Sequence, residues 1–334
     1  MSYPPKRILF LDVTAPKPYD SNTLATEPQG GTESTVTRIA EGLAARGHSV
    51  TVMQKARQAV HWRSGGPAYV PYKIAKANFD AVVALRSPDL VPAMRLSWPN
   101  AHHILWLHDY NQVELVQKYD LIRGPLTVVC VSRTHKTAVA DALLRQVKSV
   151  EGTRVSFIYN PIADDLRPDS TPVDPKKLVF FSSPHKGLDH ALTLFRRLRH
   201  VDDSYTLHVA NPGYYPSATL EGPGVVALGE LPHPAVLQHV RSSLAVFHPN
   251  TVFPETFGLV HAEANALGVP VLTSILGANR EVLNDARQTV NVFDEKTVID
   301  TLQAWSAGKR PVVQGCDEFR LSKVLDQWEV LIGR

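Results

Sequence analysis

The sequence predicts an α/β fold built as two doubly wound, parallel-sheet domains, and three observations carry that expectation. The chain has 334 residues, more than a single domain usually holds. Short apolar runs of strand length alternate with stretches of helical periodicity, as in a parallel sheet covered on both faces. That alternation is interrupted by a proline-rich, partly acidic segment over residues 160–176, which reads as the domain linker, and then restarts.

Residues 7–13 (RILFLDV) read as a buried strand, and 14–31 as a long polar loop ending in Gly30-Gly31. A helix follows over 32–46, with Val36, Ile39, Ala40 and Leu43 on one face and Gly47 as its stop signal. A strand at 49–53 completes a βαβ unit. Strands are expected at 80–85, 103–107, 126–132 and 155–159, with a helix over 133–144. Beyond the linker, strands are expected at 178–182, 205–210, 225–228, 244–248, 270–274 and 289–293, with helices over 188–199 and 235–241. A last helix over 319–332 carries Leu321, Val324, Leu325, Trp328, Leu331 and Ile332 as an apolar stripe that needs a surface to dock on. The expected boundaries are 1–162, 163–315 and, for the last helix, 316–334.

Composition narrows the function classes. A hydrophobic content of 44% with 20% charged residues is that of a core-forming globular protein. The net charge of +3 is small and no nucleic-acid-binding signature appears, so no nucleic-acid partner is expected. Cys130 and Cys316 sit far apart in apolar patterns, which fits a reducing compartment. The start lacks a secretory leader pattern and no apolar run reaches membrane-spanning length, so a cytoplasmic location is expected.

The chemistry concentrates in residues 253–279, FPETFGLVHAEANALGVPVLTSILGAN. Glu255 precedes a glycine-led helix and Glu263 lies within it, among Leu259, Val260, Ala262, Ala264, Ala266 and Leu267. A carboxylate in so apolar a helix is costly to desolvate without a partner. Two glutamates eight residues apart could hold the two ends of an extended ligand. Gly258 between them would let backbone N–H groups approach a phosphate. Gly30-Gly31 is either a mobile turn or a close approach of backbone to ligand. Lys186-Gly187, after the strand LVFFSS, is either an ordinary surface lysine or a cradle for a diphosphate. His108-Asp109 follows another strand, where the histidine could bond a sugar hydroxyl or titrate near neutral pH. Neither a GxGxxG turn at the first strand nor a P-loop is present, which weighs against nicotinamide and flavin enzymes. No DxD triad is present to hold a metal against a diphosphate.

Together the Gly30-Gly31-Thr32-Glu33 loop, His108-Asp109, the VSRTHK run at 131–136, Lys186-Gly187 and Glu255-x7-Glu263 with its GVPV continuation resemble the retaining glycosyltransferases of family 4. The resemblance spans nearly the whole chain, and the Glu-x7-Glu segment is its most specific part. It implies the GT-B architecture: an acceptor-binding domain and a nucleotide-sugar-binding domain, both Rossmann-like and facing across a cleft, with the last helix crossing back to the first. It implies a UDP- or GDP-linked hexose as donor, a hydroxyl acceptor, and no cofactor or metal. Glu255 would contact the hexose, Glu263 the ribose, and Lys186 the departing diphosphate. Gly30, Gly31, Thr256, Phe257, Gly258, Leu259 and Val260 would line the donor, Asn160 would sit at the domain junction, and His108 would position the sugar. Glu255, Lys186 and His108 are the residues implied in catalysis, by same-face attack in which the leaving phosphate takes the acceptor proton.

One departure stands out: the arginine usual a few residues before the lysine is absent, and the turn reads SSPHKG, so either His185 or a basic group elsewhere would substitute or donor binding would be weaker than usual. Rival readings are a GT-B sugar-nucleotide epimerase and a non-catalytic nucleotide-sugar-binding protein. Residues 55–76 mix basic side chains with Trp62, Tyr69 and Tyr72, which reads as a solvated connection or as peripheral contact with the inner face of a membrane.

Overall fold

The computed structural model describes residues 4–73, 77–110, 112–146, 150–211 and 220–333. In chain order its first part contains β1 (Arg7–Asp12), α1 (Ser21–Thr26), α2 (Gly31–Ala45), β2 (Ser49–Gln54), β3 (His61–Trp62), β4 (Ala68–Pro71), β5 (Ala81–Leu85) and α3 (Leu90–Ser97). There follow β6 (His102–Trp106), α4 (Gln112–Gln117), α5 (Tyr119–Ile122), β7 (Leu126–Cys130), α6 (Arg133–Gln146) and β8 (Thr153–Phe157). The second part has β9 (Asp174–Phe180), α7 (Leu188–Val201), β10 (Thr206–Asn211), β11 (Val225–Glu230), α8 (His233–Arg241) and β12 (Ser243–His248). It closes with α9 (Leu259–Ala266), β13 (Val271–Thr273), α10 (Asn279–Val282), α11 (Glu295–Ala304) and α12 (Leu321–Ile332).

The strands form two sheets. One runs β3-β4-β2-β1-β5-β6-β7-β8, parallel except for the β3–β4 pair at its edge. The other runs β11-β10-β9-β12-β13 and is parallel throughout. Central strands such as β5 and β7 are buried at every position, as a sheet covered on both faces requires. Loops at the carboxyl ends of parallel strands converge on one edge, where such folds place their ligands.

Contacts divide the chain into two compact units. One comprises Met1–Ser21, Thr32–Pro161 and Arg320–Arg334; the other comprises Asn22–Gly31 and Ile162–Phe319. Two boundaries differ from the expected ones. The segment with α1 and the glycine pair belongs to the second unit, where Gly31 lies against Leu259 of α9, a Cβ there falling in ordinary contact 3.6 Å from its Cδ2. Residues 316–319 also stay there: Phe319 accepts a 2.8 Å hydrogen bond from the Ile162 amide and packs edge-on against Phe257. The core of that unit gathers Phe180, Phe195, Tyr205, Phe247, Leu302 and Trp305.

The apolar stripe of α12 is buried within the first unit. Trp328 meets Trp106 at 4.8 Å and Phe10 at 6.0 Å, both edge-on. Gly42 of α2 allows the approach, since a Cβ there would fall 2.5 Å from Leu325 Cδ1. Arg46 pairs with Asp326 and Glu329 at the rim.

Three expectations need correction. The loop at 14–31 contains α1, and α3, α4 and α5 are short helices whose signals are weak because each has barely two turns or fewer. Residues 55–73 are more than a solvated connection: β3 and β4 extend the sheet, with Tyr69 buried and hydrogen-bonded to Glu41, while Val60 and Trp62 stay exposed. The rest of the expected stretch, 74–76, lies outside the described residues. No strand forms over 289–293; a single bridge joins Thr289 to Thr273 before Asp294 caps α11 through the Thr297 amide. Both cysteines are free thiols, and burial pushes that of Cys130 up to about 12.

Replacing Trp328 with alanine removes a fully buried ring from the face of α12. The expected cost is roughly 3–5 kcal/mol, read as a lowered denaturation midpoint. A change below ~1 kcal/mol would show that the aromatic cluster does not hold this helix.

Candidate functional site

In the second unit each candidate side chain is delivered by a turn that follows a strand. β9 and β12 are neighbours, so the turn at 181–187 lies beside the loop at 249–258. The contact is close enough to demand glycine: Gly187 has φ of 100°, and a Cβ on it would come within 3.2 Å of Asn250 Cα. Lys186 ends the 3-10 turn Pro184–Lys186 rather than opening a helix, and α7 starts after Gly187.

Glu255 does not lie on α9. Its carbonyl accepts a 2.7 Å hydrogen bond from the Ala278 amide, and its main chain bridges that of Gly277. A Cβ at position 277 would stand 2.3 Å from the Glu255 carbonyl oxygen, so Gly277 is required for this clamp. Gly258, with φ of 86°, then turns the chain into α9 and leaves the first amides of that helix at the same edge.

The side chains form two carboxylate centres. Lys186 Nζ lies 3.0 Å from both oxygens of Glu255, whose side chain is 6% exposed against 32% for the lysine. Burial works to raise the Glu255 carboxyl, but Lys186, with His248 and His261 beside it, holds it at about 2. Those two histidines meet at 2.8 Å, Nδ1 of His248 to Nε2 of His261. Burial pushes them down to about 3 and about 4, so both are neutral and one donates to the other. Glu263 is the second centre. Its carboxylate is buried in α9, and its Oε2 lies 2.9 Å from Nε2 of His233, the first residue of α8.

The remaining donor candidates fall around these centres in different ways. Gly30 and Gly31 lie in the second unit, Gly31 against the first turn of α9. Leu259 and Val260 are half-buried in that turn, and Thr256 is half-buried in the loop before it. The Phe257 ring is buried against Phe319, so any ligand contact there comes from its main chain. His185 packs edge-on against Phe253, and burial together with Lys186 lowers its pKa; at neutral pH it supplies no positive charge in place of the missing arginine.

His108 and Asn160 belong to the first unit, both buried. His108 follows β6 with its ring 4.5 Å from Trp106. Burial first, then Arg86 and His135, push it well below its ordinary value, so it is neutral at pH 7 and does not titrate near neutrality. The VSRTHK run acts as scaffold here. Ser132 Oγ accepts from the His135 amide at the start of α6, and His135 Nε2 donates to the Asp109 carbonyl at 3.0 Å.

Sequence reasoning missed four residues. His233, His248 and His261 are isolated histidines whose partners lie 13 to 30 positions away, so no local spacing marks them. Arg86 is the fourth. It has φ of 57°, a strained value for a side chain of this size, and its guanidinium reaches Thr14 Oγ1 at 3.1 Å and Glu33 Oε1 at 3.4 Å. Among the described residues no cluster of three or more His, Cys, Asp or Glu side chains is arranged to hold a metal ion.

Comparison with known proteins places this geometry. Residues 164–305 match the family described as glycosyl transferases group 1. A phosphatidyl-myo-inositol mannosyltransferase of Mycobacterium leprae is 25% identical over 82% of this chain and 83% of its own length. Sucrose-phosphate synthase from Thermosynechococcus elongatus has a similar structure, with a TM-score of 0.67 at 15% identity, covering 98% of this chain and 95% of that one. The Anabaena protein HepE, solved with UDP and glucose, has a TM-score of 0.60 at 16% identity, covering 98% and 99%.

The ion pair sets a stability test. The Glu255 pKa is depressed in the folded protein, so its contribution is present above ~4.5, the ordinary value, and fades as pH falls toward about 2. Lys186→Met leaves a buried carboxylate without its cation and should cost ~1–3 kcal/mol at pH 7. The deficit should shrink between pH 4.5 and 2, as Glu255 becomes protonated in wild type and variant alike. A deficit in thermal unfolding that stays constant across that range would place the stabilisation elsewhere.

Proposed function

We propose that the chain is a family 4-like glycosyltransferase of the GT-B fold that moves a hexose from a nucleotide-diphosphate sugar to a hydroxyl acceptor with retention of anomeric configuration. The observation that carries the reading is the meeting of Lys186 and Glu255 beside the amides that open α9, with Glu263 buried further along that helix. A cation and free amides suit a diphosphate; two carboxylates suit the hydroxyls on either side of it.

In this reading Lys186 and the α9 amides take the diphosphate, Glu255 accepts from hexose hydroxyls, and Glu263 accepts from the ribose. His108, held neutral in its loop, contacts the sugar as a hydrogen-bonding group rather than as an acid. Asn160 holds the turn at the end of the first unit. The donor is UDP- or GDP-linked and no metal takes part. Rate enhancement comes from positioning and from stabilising the charge on the departing phosphate, which itself receives the acceptor proton.

The test is an assay of UDP-, GDP- and ADP-hexoses with hydroxyl acceptors, with and without EDTA, the product's anomeric configuration being read by proton NMR. Transfer with retention, undiminished by EDTA, is the expected result; inversion or loss of activity on chelation would overturn the mechanism. Lys186→Ala should lower turnover about 100-fold or more while the protein remains folded, and full activity in that variant would remove the diphosphate role. Turnover of the sugar nucleotide alone, without acceptor, to an isomeric sugar nucleotide would indicate an epimerase instead.

No helix among the described residues is long and apolar enough to cross a membrane. We place the protein in the cytoplasm, with peripheral contact at a membrane through the β3 edge, where Val60 and Trp62 are two-thirds exposed. Flotation with anionic liposomes should exceed that with neutral ones and fall in Trp62→Ala. Equal flotation with both lipid compositions would end that idea.

A further inference from the structure

The donor-site lysine and glutamate are already bound to each other. Lys186 bridges both Glu255 oxygens at 3.0 Å, from turns on the adjacent strands β9 and β12. A ligand phosphate and Glu255 are both anions with a claim on the same ammonium group. The two partners differ in freedom. The lysine side chain is one-third exposed at the end of a flexible stem, whereas the Glu255 side chain is buried and its main chain is clamped by Gly277 and Ala278. On separation the lysine would move and the carboxylate would stay.

What the carboxylate then faces is set by its surroundings. His248 and His261 bear on it from the buried side, but both are held neutral, so neither replaces the lost charge. A buried carboxylate deprived of its cation needs hydrogen-bond donors in its place. The hydroxyls of a hexose are donors; an ionised phosphate is not.

We propose that the Lys186–Glu255 ion pair is an internal competitor for the diphosphate, released in full only by a ligand that brings hydroxyl donors to Glu255 as it draws Lys186 to its phosphates. The inference rests on the donor reading above and extends it to specificity. Phosphate recognition and sugar recognition become interdependent, so the site favours the intact sugar nucleotide over the nucleoside diphosphate left after transfer. A spent nucleotide takes the lysine without repaying Glu255, which speeds its departure.

The test is isothermal titration of the full chain with UDP, GDP and ADP, and with the corresponding glucose and mannose nucleotides, for wild type and Glu255→Gln. Glutamine keeps the shape of the side chain and removes the charge, leaving Lys186 without its ionic competitor. The variant should bind the matching nucleoside diphosphate about fivefold tighter or more, and its preference for sugar nucleotide over nucleoside diphosphate should fall by a similar factor. Equal or weaker binding of the nucleoside diphosphate by the variant would overturn the proposal. Should the variant not fold, the wild type still decides: tighter binding of the sugar nucleotide than of its nucleoside diphosphate supports the competition, and the reverse order overturns it. If neither class of ligand binds the wild type, the donor reading falls and the competition falls with it.

Discussion

The constraint on which the second unit depends is the placement of one buried carboxylate at the end of a parallel sheet. Glu255 is nearly inaccessible, and a charge so placed is tolerable only with a counter-charge and fixed geometry. The counter-charge arrives from the next strand, as Lys186. The geometry comes from glycines at places where a side chain would collide with backbone: Gly187 against Asn250, and Gly277 against Glu255 itself. His248 and His261, both buried, share an uncharged 2.8 Å hydrogen bond beside it. Removing any one of these parts alters the environment of the same two oxygens.

Much of this was legible in the sequence and some was not, for identifiable reasons. Most strands announce themselves as apolar runs, the short edge strands β3 and β4 excepted, and α12 as a stripe ending in Leu331 and Ile332, because burial imposes periodicity. Glu263 stood out because a carboxylate conflicts with its apolar helix, and Lys186 and Glu255 because they sit beside glycine turns after strands. Their partners did not. His233 meets Glu263 across 30 residues, and Gly277 meets Glu255 across 22, pairings that only the sheet topology creates. Glu255 was placed correctly before α9, but the sequence does not show that its main chain is held by 277–278. The strand expected at 289–293 failed because a β-like composition was satisfied by one bridge before Asp294 began a helix.

The first unit solves a similar problem with different chemistry. One of its buried polar groups is the His108 imidazole, which burial keeps uncharged. Order in the loop comes from capping: Ser132 starts α6, which presents His135 to the Asp109 carbonyl next to His108. Arg86 keeps a strained backbone at the end of β5 while its guanidinium joins Thr14 and Glu33. Strain of this kind persists where surrounding contacts over-determine it, and it concentrates at functional positions.

The two carboxylates of the second unit are held in ways that suit different tasks. Lys186 spans both oxygens of Glu255, so a donor that reaches that carboxylate meets a charge already in place. His233 touches one oxygen of Glu263 and is fixed at the start of α8, so donors arriving at Glu263 need not dislodge it. In the proposed reading the first contact is made by the group transferred and the second by the group that leaves with the nucleotide. On that reading, an exchangeable contact at the hexose and a constant one at the ribose would keep the grip on the nucleotide while the hold on the sugar changes during the reaction. That asymmetry follows from which residue types stand opposite the two glutamates, lysine on a mobile stem in one case and an imidazole at a helix end in the other.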